Sequence, residues 1–142
     1  MVGKLQIKKD NFQQAVLEYG PGRLFINKPE GFTVHYQQGQ DLCSLAAAFM
    51  HTHAEIREKT GFDPDFGANP VHRLDKETSG VMLLAVNREA FRFFTRQFEN
   101  RTVVKRYIAI LHGNLEHQDG GASWGTWHWP LSKACLLYTS DA

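Results

Sequence analysis

The sequence has little cysteine, no long apolar run and almost no net charge. Its two cysteines, Cys43 and Cys135, lie far apart without metal-ligand spacing, which argues against a disulfide framework and against a zinc site. No apolar run approaches the roughly 18 residues that a membrane-spanning helix needs, and residues 1–6 lack the apolar core of a signal peptide. We therefore expect a cytoplasmic protein with no membrane segment and no bound metal.

Internal repeats and glycine-rich phosphate loops are also missing, so no cofactor is predicted. The formal net charge of +1 is too small for a protein that binds nucleic acid through an overall basic surface. Residues 88–106 nevertheless carry six basic and two acidic side chains, a local net charge of +4. With 142 residues, of which 42% are hydrophobic and 22% charged, the chain has the composition of one globular domain.

Apolar spacing predicts an α+β fold in which helices flank a mixed or antiparallel sheet. Two strands are predicted, at Leu24–Asn27 and at Val103–Leu111, where Lys105 and Tyr107 share one face. A third, at Val81–Val86, is apolar throughout, which is typical of a strand buried on both faces.

Two helices are predicted between these strands. One runs from Leu42 to about Lys59, capped by Asp41 and followed by Gly61. The other runs from Arg88 to about Glu99 after the cap Asn87, with a phenylalanine stripe for the core and an arginine stripe on another face. The arginines Arg88, Arg92 and Arg96 form either a solvated face or an RNA contact.

The segment 71–80 has the properties of a catalytic loop. It places the carboxylate of Asp75 near Arg73, between Pro70 and Gly80 and ahead of an apolar strand. A carboxylate can act as a nucleophile or base in glycosyl transfer. By itself, however, Asp75 is more often expected to be a turn aspartate that bonds the backbone.

The string His72-Arg73-Leu74-Asp75, followed by Thr78-Ser79-Gly80, resembles the signature of the RluA-like pseudouridine synthases. These enzymes isomerise uridine to pseudouridine in ribosomal or transfer RNA. The resemblance implies a catalytic domain of the pseudouridine synthase type, with Asp75 attacking the target nucleotide. It also implies that Arg73 replaces the flipped base and contacts phosphate, as a flat, forked guanidinium can. His72 would either contact RNA or serve as a neutral hydrogen-bonding residue.

Two further segments extend the resemblance. Residues 25–31, which include Lys28, resemble the lysine-proline motif of the family, and Lys28 is predicted to bind RNA unless it is only a solvated turn lysine. Residues 105–109 resemble the strand that carries the pocket tyrosine. Tyr107 would then stack on uracil and act in proton transfer at C5, with Lys105 and Arg106 as further RNA contacts. A lone strand tyrosine is otherwise more often structural.

The resemblance covers residues 24–133 and includes Trp129 to Lys133, so we expect a lead-in at 1–23, a partial catalytic domain at 24–133 and a tail at 134–142. Family members have a later arginine that pairs with the catalytic aspartate, and no arginine follows Lys133 here. We therefore expect a truncated reading frame. RNA is the predicted partner, with no obligate protein partner. A catalytically impaired RNA-binding fragment is the alternative. A protein kinase is disfavoured because the order of the His-Arg-Leu-Asp string differs from the kinase loop.

Overall fold

A four-stranded sheet organises the first of two units into which the chain divides, residues 1–105 and 106–142. The computed structural model describes residues 7–35, 37 and 39–110. All strand pairings in the sheet are antiparallel, and the spatial order is β1-β2-β4-β3. The strands are β1 (Val16–Gly20), β2 (Arg23–Lys28), β3 (Asn69–Pro70) and β4 (Gly80–Ala85). The predicted α+β class with flanking helices is confirmed.

Alternation along the two long strands gives the sheet two buried faces. In β2, Leu24 and Ile26 are fully buried on one face, together with Lys28. In β4, Met82 and Leu84 join that core, whereas Leu83 and Ala85 belong to a second core on the opposite face. The prediction of a strand buried on both faces is thus confirmed for residues 82–86. It fails for Val81, which is 57% exposed and lies outside the second core.

Three short helical elements cover the first face. They are a 3-10 helix at Lys9–Ala15 and the helices α1 (Leu42–Thr52) and α2 (Ala54–Thr60). The predicted cap is confirmed, since the Asp41 carboxylate accepts a hydrogen bond from the Ser44 amide over 2.8 Å. Gly61 ends α2 in the left-handed conformation, as expected of a C-terminal glycine.

The prediction of one continuous helix from Leu42 to Lys59 is wrong, because the helix breaks at His53. The imidazole Nδ1 of His53 lies 2.8 Å from the carbonyl oxygen of Phe49, and the Thr52 hydroxyl donates to the same oxygen over 2.9 Å. These side chains occupy the acceptor that the His53 amide would use in a continuous helix. The amide instead reaches the Met50 carbonyl over 3.4 Å, and α2 begins at Ala54.

Helix α3 (Arg88–Glu99) covers the second face of the sheet. The Asn87 side chain accepts a hydrogen bond from the Ala90 amide over 2.9 Å, which confirms the predicted cap. The phenylalanine stripe, predicted to be core, is half-buried and packs against Val71, Leu83 and Ala85; its members are Phe91, Phe94 and Phe98.

Two sequence predictions concerning strands need revision. Strand β1, which pairs with β2, was not predicted, because the sequence of Val16–Gly20 has no clear alternation of apolar and polar residues. The strand predicted at Val103–Leu111 is wrong for its described residues 103–110, which form neither helix nor strand. Apolar alternation alone cannot make a strand, because the backbone needs a hydrogen-bonded neighbour. Leu111, Cys135 and the segment Trp129–Lys133 lie outside the described residues.

Candidate active site

The side chains of the predicted catalytic loop alternate between the core and the surface. Leu74 is half-buried against the first core, while its neighbours Arg73 and Asp75 are exposed. The Asp75 carbonyl accepts a hydrogen bond from the Thr78 amide over 3.0 Å, which closes a turn directly after the carboxylate. Leu74 therefore anchors the loop from below, and the two side chains predicted to act on RNA point away from the core.

Lys28 connects this loop to the sheet. Its side chain is fully buried, because strand alternation puts it on the same face as Leu24 and Ile26. The ammonium donates hydrogen bonds to the carbonyl oxygens of Pro29 at 3.0 Å, Lys76 at 2.8 Å and Thr78 at 2.7 Å. An ammonium group has three protons, and here each one has a carbonyl acceptor.

The predicted RNA contact of Lys28 is therefore wrong, and so is its interpretation as a solvated turn lysine. A fully buried ammonium with three backbone partners is not available to a phosphate. The sequence signal that was overlooked is the period of two in Leu24, Ile26 and Lys28, which assigns the lysine to the core face.

Charge reinforces this connection between sheet and loop. Burial lowers the pKa of Lys28, while the negative charges of Glu77 and Asp75 act in the opposite direction. The buried ammonium is thus within electrostatic range of the two carboxylates of the loop. The Gly31 amide also donates to the Lys76 carbonyl over 2.8 Å, so the lysine-proline segment holds the loop through backbone and side chain alike.

The loop enters β4 through Gly80, which lies opposite Lys28 in the sheet. Its φ of +133° is a backbone conformation that side chains with a Cβ rarely adopt. Glycine at this position therefore lets the chain turn from the loop into the strand.

His72 fixes the other end of the loop. Its imidazole Nε2 accepts a hydrogen bond from the Leu83 amide over 3.1 Å, and the ring stacks on Phe98 with 4.8 Å between the centroids. Desolvation by burial lowers the pKa of His72, and the charge of Lys105 lowers it further. Of the two predicted roles, the neutral hydrogen-bonding histidine matches this geometry, whereas an RNA contact through Nε2 does not.

The remaining predicted RNA contacts lie on the surface. Lys105, in the first unit, is exposed, and so are Arg106 and Tyr107 in the second unit. Their roles toward RNA and uracil stay predictions.

Within residues 7–35, 37 and 39–110, no group of three or more potential metal ligands comes together. No helix in this part of the chain is long and apolar enough to cross a membrane. Cys43 is a buried free thiol in α1, and burial together with the charge of Asp41 raises its pKa to about 12.

The loop, the Lys28 side chain that bonds it and strands β2 to β4 lie within a segment that a known family shares. The sequence profile described as RNA pseudouridylate synthase matches residues 23–125, well over half of the chain. The protein belongs to this family.

Two relatives illustrate the match. An uncharacterized RNA pseudouridine synthase of Bacillus subtilis, YlyB, is 35% identical over 97 residues, which cover 68% of this chain and 31% of the relative. The dual-specificity RNA pseudouridine synthase RluA of Pasteurella multocida is 35% identical over 106 residues, covering 74% of this chain and 43% of the relative. The RluA-like resemblance is confirmed, and the chain spans about a third of the length of the relatives it matches.

A solved structure gives the same result at the level of fold. The human RNA pseudouridylate synthase domain containing 4 superposes with a TM-score of 0.50 at 26% sequence identity, covering 66% of this chain and 33% of the human chain.

Proposed function

We propose that the protein isomerises uridine to pseudouridine in ribosomal or transfer RNA, with Asp75 as the catalytic residue. The observation that carries this proposal is the exposed Asp75 carboxylate on a loop fixed by the buried ammonium of Lys28, within a chain of this family. A reacting group needs such a fixed support, because misplacement by about 1 Å can cost on the order of a hundredfold in rate.

The chemistry needs few groups. The bond between uracil N1 and ribose C1′ breaks, the base turns, and a bond forms between C5 and C1′. The proton leaves C5 and N1 gains one, so the product is an isomer of the substrate and no redox cofactor is required. The Asp75 carboxylate attacks the target nucleotide and is released when the new bond forms.

The contacts with RNA are assigned to other residues that the family resemblance indicates. The exposed guanidinium of Arg73 fills the space left by the flipped base or contacts a phosphate. Lys105 and Arg106 contribute charge toward the RNA backbone. Tyr107 stacks on the turned base, and its hydroxyl takes part in removing the proton from C5. Location in the cytoplasm and action without an obligate protein partner also stay predictions.

Release of tritium from RNA labelled at uracil C5 tests the reaction directly. We expect release from ribosomal or transfer RNA with the wild-type chain and none with Asp75→Asn. The matched control is Asp65→Asn, since Asp65 is an exposed turn aspartate outside the loop. Equal release by the Asp75 and Asp65 variants would refute the catalytic role of Asp75. If the wild-type chain releases no tritium although circular dichroism shows that it is folded, the activity is refuted for this chain.

Two substitutions separate the tasks assigned to Tyr107. Tyr107→Phe retains the ring for stacking but loses the hydroxyl, so we expect slower release with little change in the amount of RNA bound. Tyr107→Ala loses both, and RNA binding should weaken as well. If Tyr107→Phe releases tritium at the wild-type rate, the hydroxyl does not transfer the proton.

A further inference from the structure

The outward side of α3 carries a row of exposed arginines. Arg88, Arg92 and Arg96 recur every fourth residue, so they span about 12 Å along the helix at 1.5 Å per residue. They line a shallow groove together with Glu89, Phe93, Gln97 and Asn100. Phe93 is 58% exposed, although phenylalanine is among the residue types most often buried.

These arginines have no acidic partner in the part of the chain that the structure describes. The ion pairs found there join Arg23 to Glu18 and Lys59 to Glu55, away from α3. Arg88 lies over the ring of Phe66, with 5.7 Å between its guanidinium carbon and the ring centroid. Ion pairs between residues i and i+3 or i+4 commonly stabilise a solvated helix face, and the described residues of this face form none.

The same helix contacts the candidate catalytic loop. Phe98, in its last turn, stacks on His72, which immediately precedes Arg73. Residues 88–105, all in the first unit, carry five basic and two acidic side chains, so a surface with a net charge of +3 begins beside the loop and extends along α3.

We propose that this surface binds the RNA segment flanking the target uridine, an inference that rests on the proposed function. Arg92 and Arg96 contact successive phosphates, and Phe93 packs against an unpaired base. A phosphate backbone complements a row of unpaired guanidinium groups. An exposed aromatic ring among them suits the stacking of splayed bases in single-stranded RNA.

Salt-dependent RNA binding tests the surface. The probe is a short fluorescein-labelled RNA hairpin with uridines in its loop, followed by fluorescence anisotropy over a series of KCl concentrations. For Arg92→Gln/Arg96→Gln we expect weaker binding. The slope of log affinity against log salt should become less steep by about 1.4, because each lost contact with a single-strand phosphate removes about 0.7. For Phe93→Ala we expect at least about fivefold weaker binding with an unchanged slope, because stacking releases no counterion.

The matched control is Lys9→Gln/Arg57→Gln. It removes the same charge from the helical layer that covers the opposite face of the sheet. Its slope should remain close to that of the wild type. Equal slopes for the two double variants would overturn the proposal, and so would a folded wild-type chain that does not bind the hairpin.

The tritium assay separates this proposal from the proposed function. If the wild-type chain releases tritium but Arg92→Gln/Arg96→Gln has the wild-type salt slope, the activity is supported and RNA binding by the α3 surface is refuted. If the double variant has a reduced salt slope but the wild-type chain releases no tritium, RNA binding by the α3 surface is supported and the activity is contradicted. Circular dichroism of each variant should show the wild-type melting temperature.

Discussion

The ammonium of Lys28 donates a hydrogen bond of 2.7 Å to the carbonyl oxygen of Thr78, a residue fifty positions further along the chain. The same ammonium bonds the Lys76 carbonyl, so one β2 side chain fixes the backbone that directly follows Asp75. This relationship makes the position of the proposed catalytic carboxylate depend on a residue that contacts no substrate.

Replacement of Lys28 by methionine should therefore loosen the loop and destabilise the fold. Methionine keeps an unbranched apolar stem but leaves the Thr78 carbonyl without the ammonium donor, while the Lys76 carbonyl retains only the hydrogen bond from the Gly31 amide. We expect the free energy of unfolding to fall by about 2–4 kcal/mol, since buried polar groups that lose a charged partner cost about that much. Urea denaturation followed by circular dichroism measures the change.

The control for Lys28→Met is Lys76→Met, in which an exposed side chain of the same loop changes while its carbonyl remains. That variant should stay within about 0.5 kcal/mol of the wild type. Equal stability of the two variants would show that the three hydrogen bonds of Lys28 contribute little.

His72 should make stability depend on pH below neutrality. Its pKa is lowered in the folded protein, so between that value and the ordinary value of about 6.5 the unfolded chain binds more protons. Stability should therefore fall as the pH drops below about 6.5 and level off below the folded pKa. Urea denaturation at several pH values between about 5 and 8 measures this dependence.

His72→Gln is the informative variant for that dependence. Its amide oxygen can accept the hydrogen bond of the Leu83 amide but does not titrate. The contribution of His72 to the fall in stability should disappear, while Lys105, whose charge acts on the imidazole, stays in place. Parallel pH curves for wild type and His72→Gln would contradict the assignment of a neutral imidazole.

Local signals were sufficient to predict much of the fold. Asp41 and Asn87 identify two helix starts, because their side chains satisfy amides that a first helical turn leaves free. The apolar run of β4 identifies the centre of the sheet. The break at His53 was not predictable from spacing, because it arises when two side chains compete with the backbone for the Phe49 carbonyl.

The candidate site shows the same division between local and long-range information. The His-Arg-Leu-Asp string identifies the loop, and its single apolar residue, Leu74, explains why its neighbours face outward. The clamp by Lys28 joins residues about fifty positions apart, and the stacking of His72 on Phe98 joins two separate elements. Such contacts depend on the packing of the sheet, which no local pattern specifies.

Gly22 should tolerate no side chain, for two separable reasons. Its φ of +71° strains any residue with a Cβ, and an added Cβ would lie 2.3 Å from the Cβ of Ala90. Gly22→Ala should therefore lose about 1 kcal/mol from strain and a further 1–3 kcal/mol or so from the clash. Gly67→Ala is the control, since Gly67 has a φ of +72° with no atom within 4 Å of its added Cβ.

The double variant Gly22→Ala/Ala90→Gly isolates the clash between Gly22 and α3. Ala90→Gly alone costs up to about 1 kcal/mol of helix propensity, but in the double variant it also removes the opposing Cβ. We expect the double variant to be more stable than the sum of the single effects predicts, as a thermodynamic cycle of urea denaturation would show. Simple additivity would mean that the helix moves away without cost.

Cys43 should be unreactive toward thiol reagents while the protein is folded. Burial and the charge of Asp41 raise its pKa to about 12, which leaves roughly one thiol in ten thousand ionised at about pH 8, and the thiolate is the reactive form. A Cys135→Ser variant makes Cys43 the single thiol, so its labelling by dithionitrobenzoate can be followed alone. We expect labelling to be slow in buffer and to accelerate across the urea unfolding transition. Rapid labelling in buffer would mean that α1 opens locally, because only an opened helix exposes a thiol packed in the core.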